Sequence, residues 1–216
     1  MCIRLVNWLF RSLEPYLFIY AMATISIKIN GYLLISLLCL GTTDCHEIIT
    51  PLPILLSTFT QGAAGWQIIS NGMTTDAKFS SAGGNPDGYI YSSDFASGIW
   101  YFMAPKSVTD QLKFAYGQRL HFDLKQSGTQ DQQNKDDVIL ISGKVKLALK
   151  TGHPPGTDWT SYSIKLDESG AWKKNGTSAL TEDEFRLVLS NIDQLWIRGE
   201  FINGADQGCL DSVGIN

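Results

Sequence analysis

The chain has 216 residues, of which 44% are hydrophobic and 18% are charged, and its formal net charge is −4. This apolar content excludes a disordered chain, and the sequence lacks the basic block that nucleic-acid binding requires. Four cysteines are too few for a disulfide-dense scaffold. The sequence therefore predicts a globular protein of one large domain or two small ones, with no nucleic-acid partner.

The first residues have the pattern of an N-terminal leader. Residues 31–40 carry no charge, and Lys28 precedes them. As a helix this run would rise about 15 Å, half of the ~30 Å hydrocarbon core of a membrane. It is too short to span a membrane alone, but it suits a secretory signal peptide. Thr43 and Cys45 place small residues at the −3 and −1 positions of a cleavage before His46.

Two features of this leader leave alternatives open. Met22 lies just upstream of the signal and could be the true start of translation. Residues 16–41 could instead form one signal anchor that stays in the membrane, although Lys28 near its middle is costly there. We predict a secreted, extracellular protein that touches a membrane only through an uncleaved leader. Its predicted parts are a leader, a linker and one domain: residues 1–45, 46–56 and 57–216.

The cysteines depend on the same cleavage. A cut before His46 removes Cys2, Cys39 and Cys45, which leaves Cys209 as the single cysteine of the mature chain. An earlier cut would retain Cys45, which could then pair with Cys209 and tie the two ends together. The prediction is a buried free thiol, and the disulfide is the alternative.

The predicted domain reads as a series of short strands. Apolar or alternating runs recur between turns that are rich in Gly, Asn, Asp and Pro, and residues 120–124 alternate strictly. A single helix is predicted where Thr181 and Glu184 form a capping box before an apolar face that includes Phe185 and Leu187. The predicted strands are residues 65–70, 88–91, 99–104, 119–126, 138–142, 145–149, 161–166, 194–201 and 210–215. This pattern is typical of a β-sandwich with Greek-key or jelly-roll topology.

Several segments match one known family in order and spacing. They are residues 98–105 (GIWYFMAP), 116–124 (YGQRLHFDL), 136–140 (DDVIL), 159–162 (WTSY), 170–172 (GAW), 185–192 (FRLVLSNI), 195–198 (LWIR) and 208–213 (GCLDSV). Over about residues 57–216 the chain resembles the laminin IV type A, or laminin B, domain. The resemblance implies a secreted module of extracellular matrix and adhesion proteins. The expected fold is all-β with one short helix, a β-sandwich of the jelly-roll or galactose-binding-like type.

The sequence also departs from laminins. In laminins, cysteine-rich EGF-like repeats flank this module, and these repeats have no counterpart in the sequence. We therefore expect one laminin-like module standing alone behind a leader. A basement-membrane role does not follow, because the resemblance places laminin polymerisation and receptor binding largely in other domains.

The sequence offers little for catalysis. Its histidines are His46, His121 and His153, and it contains no HExxH, G-x-S-x-G or phosphate-loop motif. A glycosidase needs two carboxylates in a cleft, but the adjacent Asp136 and Asp137 would point to opposite faces of a strand. We predict that the protein is not an enzyme and has no catalytic residues. A small secreted hydrolase is the least favoured function.

Asp211 is the one weak candidate for a metal ligand. Sandwiches of the galactose-binding type often hold a structural Ca²⁺ through a carboxylate on the first strand and an Asp on the last, where Asp211 lies. Residues 57–61 (STFTQ) contain no carboxylate, and Ca²⁺ needs about six to eight oxygen ligands. The prediction is no cofactor, with Asp211 accepting backbone N–H bonds at a strand edge. Structural calcium is the alternative.

The aromatic residues bear on ligand binding. Trp66, Trp100, Trp159 and Trp196 lie in or beside strand-like runs and are predicted to be core residues. Trp172 borders a turn and is the predicted rim aromatic, where a sugar ring could stack. The leading function is a secreted, non-enzymatic binding or adhesion module with a protein or glycan ligand. A carbohydrate-binding module is the alternative, which a concave sheet face with exposed Trp or Tyr would favour.

One position is a candidate for modification. Asn175 begins the only Asn-x-Ser/Thr sequence of the chain and lies in a predicted turn, where a glycan can be accommodated. We therefore predict N-glycosylation at Asn175 in a eukaryotic secretory pathway. An unmodified turn is the alternative.

Overall fold

The computed structural model describes residues 24–29, 32–37, 49–51, 55–94, 98–177 and 179–216, and side chains within these ranges from residue 57 onward. The chain divides into two compact units, Met1–Pro51 and Leu52–Asn216. Among the described helices, none has the length and apolar character needed to cross a membrane.

The first unit contains one small antiparallel sheet. Its strands β1 (Thr24–Ile29), β2 (Tyr32–Leu37) and β3 (Ile49–Pro51) are paired in chain order. The apolar run that we interpreted as a signal core includes β2. Met22, Cys45 and His46, on which the predictions for the leader rest, lie outside the described residues.

The second unit is built from two antiparallel sheets. Its strands are β4 (Leu55–Ser57), β5 (Gln67–Ser70), β6 (Met73–Asp76), β7 (Lys78–Ser80), β8 (Tyr89–Ser93), β9 (Tyr101–Met103), β10 (Arg119–Gln126), β11 (Val138–Ser142), β12 (Val145–Leu149), β13 (Thr160–Lys165), β14 (Lys173–Lys174), β15 (Gln194–Arg198) and β16 (Gln207–Ile215). The six-stranded sheet has the order β13-β10-β16-β8-β7, with β4 also paired to β16. The seven-stranded sheet has the order β14-β12-β11-β15-β9-β5-β6. The predicted all-β sandwich is confirmed.

The core lies between these sheets and follows the strand period of two. On β10, Leu120, Phe122 and Leu124 are fully or almost fully buried, and they alternate with residues that face outward. The other sheet contributes Phe102 on β9 and Trp100 immediately before it, whose rings meet edge to face with centroids 5.1 Å apart. Apolar burial of this kind is the main favourable contribution to the folding free energy.

The described residues include three short helices: α1 (Lys106–Thr109), a 3₁₀ helix (Leu112–Phe114) and α2 (Glu182–Ser190). The capping box of α2 is present, because Thr181 Oγ1 accepts from the Glu184 N–H and Glu184 Oε2 accepts from the Thr181 N–H. Phe185 packs inward, but Leu187 is 65% exposed, so its predicted place on the buried face is wrong. The two helices before residue 115 are too short to show a helical period in the sequence.

The burial of three tryptophans differs from the prediction. Trp66 and Trp100 are buried in the core as expected. Trp172 is also buried, with its Nε1 donating to the Lys165 carbonyl at 2.8 Å, so it is not a rim aromatic. Trp159 and Trp196 are only half-buried, so their predicted place in the core is wrong. Trp196 alternates with buried neighbours on β15 and therefore points outward.

Candidate functional site

The outward side of the six-stranded sheet carries a row of aromatic and cationic side chains. The strand register places Lys125 beside Cys209, Cys209 beside Tyr91 and Tyr91 beside Lys78. Trp159, immediately before β13, continues this row, because Lys125 Nζ lies 4.8 Å from its ring centroid. We call these five residues the aromatic row. Their neighbours along the strands point to the core and are fully buried: Leu124, Leu210 and Ile90.

The rings of this face contact one another and two lysines. Tyr89 lies beside the aromatic row, with its centroid 5.8 Å from Tyr91 and 5.5 Å from Trp159. Lys125 Nζ is 5.4 Å from the Tyr89 centroid, and Lys78 Nζ is 6.0 Å from the Tyr91 centroid. All three rings are half-buried, so part of each remains accessible. A surface that combines rings with cations can stack planar groups and attract negative charge.

Two buried carboxylates hold the loop of residues 83–88 against this face. Asp123 and Asp211 are paired across β10 and β16. The Asp211 carboxylate accepts the backbone N–H of Asn85 and, at 2.7 Å, that of Ser212. Asn85 Nδ2 donates to Asp123 Oδ2 at 3.0 Å, and Ser212 Oγ donates to the Asn85 carbonyl at 2.7 Å. The loop therefore has a fixed position beside the aromatic row.

A further hydrogen bond joins this loop to the aromatic row. Trp159 Nε1 donates to the Gly83 carbonyl at 3.0 Å, which fixes the orientation of the indole ring. Gly84 also lies close to the carboxylate, because a methyl group there would be 2.7 Å from Asp211 Oδ2. The close approach of backbone and carboxylate explains why a glycine occupies this position.

The environment of this face changes the acidity of two of its groups. Burial raises the pKa of Asp211 to about 6, against the opposing effect of the N–H groups of Asn85 and Ser212. Burial also raises the pKa of Cys209 to about 11, which the charge of Lys125 only partly offsets. The thiol is free within the described residues, and Cys45, its alternative partner, lies outside them. A thiol with this pKa is a poor nucleophile at neutral pH.

The surroundings of Asp211 bear on the alternative of structural calcium, which stays a prediction. Both of its oxygens accept from backbone N–H groups, which are donors and compete with a cation for the carboxylate. Among the described residues, no group of three or more His, Cys, Asp and Glu is arranged to hold a metal ion. Asp211 lies on β16 between the residues paired with β8 and those paired with β4.

The adjacent Asp136 and Asp137 have separate partners. Asp137 is buried and accepts from the Thr151 N–H and hydroxyl at 2.8 and 2.9 Å. Asp136 is more exposed and forms a 2.9 Å ion pair with Lys146. The two carboxylates therefore do not act as a pair, and each has a partner that explains its position.

The Asn175 turn is exposed, and hydrogen bonds hold it in place. Asn175 and Gly176 both have positive φ, of 48° and 87°. Asn175 Oδ1 accepts from the Lys146 N–H at 2.9 Å, and Thr177 Oγ1 donates to the Lys174 carbonyl at 2.9 Å. The side chain lies at the surface, as a glycan requires, and glycosylation there stays a prediction.

Three acidic residues that were not predicted from the sequence lie at the ends of β8, β15 and β16. Glu200 follows β15, Asp206 precedes β16 and Asp94 follows β8. Burial and the charges of Asp94 and Asp206 raise the pKa of Glu200 to about 7. Burial and the carboxyl group of Asp94 raise the pKa of Asp206 to about 6. The three residues are far apart in the chain, so no local motif marks them.

These raised pKa values predict that the protein is more stable in mild acid. Glu200, Asp206 and Asp211 bind protons more tightly when folded than when unfolded, so the free energy of unfolding falls as pH rises from about 5 to about 7. Urea unfolding should show a higher midpoint near pH 5.5 than near pH 7.5. The Glu200→Gln variant should show a smaller difference between these two urea midpoints. A higher midpoint at the more alkaline pH would contradict the account.

The two antiparallel sheets, their core and their strand order define a β-sandwich. The family model described as Laminin B (Domain IV) matches residues 101–216, which is more than half of the chain. The chain belongs to this family, and the resemblance seen in the sequence is confirmed.

Individual proteins and solved structures resemble the chain to different degrees. The chain is 28% identical over 173 residues to laminin subunit gamma-2 of Equus caballus, which covers 76% of this chain but only 13% of that protein. The L4b domain of human laminin alpha-2 is 16% identical and has the same fold, with a TM-score of 0.61 over 74% of this chain and 95% of that domain. The family 11 carbohydrate-binding module of a Clostridium thermocellum cellulase is 16% identical, with a TM-score of 0.47 over 74% of this chain and 92% of that chain.

Proposed function

We propose that the chain is a secreted, non-enzymatic binding module that acts outside the cell and binds a glycan on the aromatic row. Membership of the laminin B family and the apolar leader support the extracellular part of this proposal. The leader, its cleavage before His46 and the retained anchor stay predictions. The ligand class is argued from the face itself.

The observation that carries the proposal is the cluster of accessible rings on one sheet face. Tyr89, Tyr91 and Trp159 are half-buried, and the Tyr89 ring centroid lies within 6 Å of those of both Tyr91 and Trp159. The apolar face of a sugar ring packs well against such rings, whose bodies are apolar and whose edges are polar. Lys125 and Lys78 add donors for sugar hydroxyl and acidic groups. The face therefore suits a glycan better than a purely apolar partner.

The loop of residues 83–88 supports the proposal by making the face rigid. Its hydrogen bonds to Asp123, Asp211 and Trp159 fix both the loop and the indole ring before a ligand arrives. A rigid site loses less conformational entropy on binding, which increases affinity. No residue of this face combines a nucleophile with a base, since Cys209 is buried with a raised pKa. Binding without turnover is therefore the proposed activity.

The test is to probe the purified chain against an array of glycans and, in parallel, against immobilised extracellular matrix proteins. We expect glycan binding without hydrolysis of the bound sugars. Binding to matrix proteins with no glycan signal would reject the glycan ligand and favour the adhesion module. Turnover of any bound glycan would contradict the non-enzymatic part of the proposal.

A further inference from the structure

A cavity of about 380 Å³ lies between the β10–β11 loop and the segment that follows β12. Its size falls within the range of about 300–1,000 Å³ that is typical of small-ligand pockets. The lining includes residues 132–135, Lys150, residues 152–154, Asp137, Arg198 and Phe201. None of these residues belongs to the aromatic row, so the cavity is a separate feature of the second unit.

Hydrogen bonds fix the walls of this cavity. Gln132 Nε2 donates to the Pro155 carbonyl at 2.9 Å and joins the two loops. The Gln133 N–H donates to the Phe201 carbonyl at 2.7 Å, and Lys150 Nζ donates to Asn134 Oδ1 at 2.8 Å. Each wall is therefore held by contacts between elements that are distant in the chain. Such a cavity is preorganised for a ligand.

Arg198 gives the cavity its chemical character. The side chain is 1% exposed, and its Nε donates to the Glu200 carbonyl at 2.6 Å. Its Nη1 lies 3.3 Å from Asp137 Oδ1. Its Nη2 is shielded from solvent and meets no acceptor among the described residues. A buried donor without a partner is costly. The guanidinium lies 4.3 Å from the Phe201 ring centroid, and both residues line the cavity. An anion that displaces the side chains covering the guanidinium therefore gains a strong, charge-assisted hydrogen bond.

The charges around the cavity favour the same kind of ligand. Lys135, Lys150 and Arg198 supply three positive charges, and Asp137 supplies the single carboxylate of the lining. That carboxylate already accepts from Arg198 and, through its other oxygen, from Thr151. The cavity is therefore positive overall, in a chain whose net charge is −4. This local excess attracts anions.

We propose that this cavity is a second ligand site, which binds the carboxylate or sulfate group of an acidic sugar through Arg198. The planar guanidinium matches the geometry of both oxyanions. The lining also carries the amide side chains of Gln132, Gln133 and Asn134, which both donate and accept, as sugar hydroxyls require. This site is independent of the aromatic row, and either one can fail without the other.

The test is an NMR titration of the backbone amides of the isotope-labelled chain with four probes at low ionic strength. The probes are glucuronate, glucose 6-sulfate, glucose and N-acetylglutamate. We expect glucuronate, glucose 6-sulfate or both to shift the amides of residues 132–135 and 199–201, with a dissociation constant of about 1 mM or below. The responding probe identifies the carboxylate or the sulfate as the anion. Glucose should leave these amides unchanged.

Two lysine pairs provide the variant and its matched control. The Lys135→Gln/Lys150→Gln variant should weaken binding of the acidic sugar by about five- to tenfold, because each charge near the site contributes modestly. The control Lys106→Gln/Lys113→Gln removes the same charge elsewhere and should change the affinity by less than about twofold. Both pairs are at the surface, so both variants should fold.

Three results would overturn the proposal. They are the absence of shifts with either acidic sugar, equal affinity of the cavity variant and its control, and shifts located at Trp159 instead of the cavity. Binding of N-acetylglutamate as tightly as the acidic sugars would reject the sugar and point to an acidic peptide.

Discussion

Replacing Gly199 by alanine is expected to reduce the free energy of unfolding by about 3 kcal/mol, because a methyl group there has no room. It would lie 1.8 Å from Cζ3 of Trp100, and the indole is fully buried. Both backbone polar groups of Gly199 are hydrogen-bonded: its N–H donates to the Trp100 carbonyl, and its carbonyl accepts from Gln126 Nε2. Neither partner can move without losing these contacts. In a domain of this size the melting temperature should fall by about 6–12 °C.

The control is Gly156→Ala, where the nearest atom to a new methyl group is 3.8 Å away and the backbone is not strained. Its melting temperature should change by no more than about 2 °C. A Gly199→Ala/Trp100→Leu double variant should be more stable than the sum of its single changes predicts, because the smaller side chain relieves the clash. An unchanged melting temperature in Gly199→Ala would contradict the packing described for Trp100.

Asp211→Ala is expected to cost about 3 kcal/mol near neutral pH, because it removes the acceptor of two backbone N–H groups. The N–H groups of Asn85 and Ser212 would remain close to a fully buried position without a partner. Asp211→Asn keeps one acceptor oxygen, so its loss should be smaller. Hydrogen exchange of the Asn85 amide should accelerate in both variants, because the carboxylate holds the loop of residues 83–88.

Asp158→Ala is the matched control, since Asp158 is exposed. Its effect should stay within about 0.5 kcal/mol. Slow exchange of the Asn85 amide in Asp211→Ala, together with an unchanged urea midpoint, would show that the carboxylate does not hold the loop.

Much of the fold could be predicted because several strands have strong local signals. The bounds of β10, β11 and β12 match the prediction, since alternating or apolar runs end there at turn residues. The helix α2 was predicted from its capping box. By contrast, β6 is exposed along its whole length, so it lacks the apolar pattern that would mark it as a strand.

The candidate site was harder to predict because it depends on register between distant strands. Lys125, Cys209 and Tyr91 become neighbours only when β10, β16 and β8 pair in one particular alignment. A shift by one residue would turn all three toward the core. The same dependence explains the wrong prediction for Trp159. Its ring lies on the outward face of the sheet beside Lys125, which belongs to a different strand. The unpaired Nη2 of Arg198 likewise depends on loops that only the fold brings together.

The most direct test of the proposed function compares glycan affinity for the wild type and for Tyr91→Ala/Trp159→Ala, using the array's strongest ligand and titration calorimetry. Phe114→Ala is the control, because Phe114 is an aromatic side chain that is 62% exposed on the 3₁₀ helix, outside the aromatic row. The account predicts that the double variant binds at least about tenfold more weakly, a loss of about 1.4 kcal/mol, while the control keeps its affinity. Unchanged affinity in a double variant that retains the wild-type melting temperature would contradict the aromatic row as the binding site.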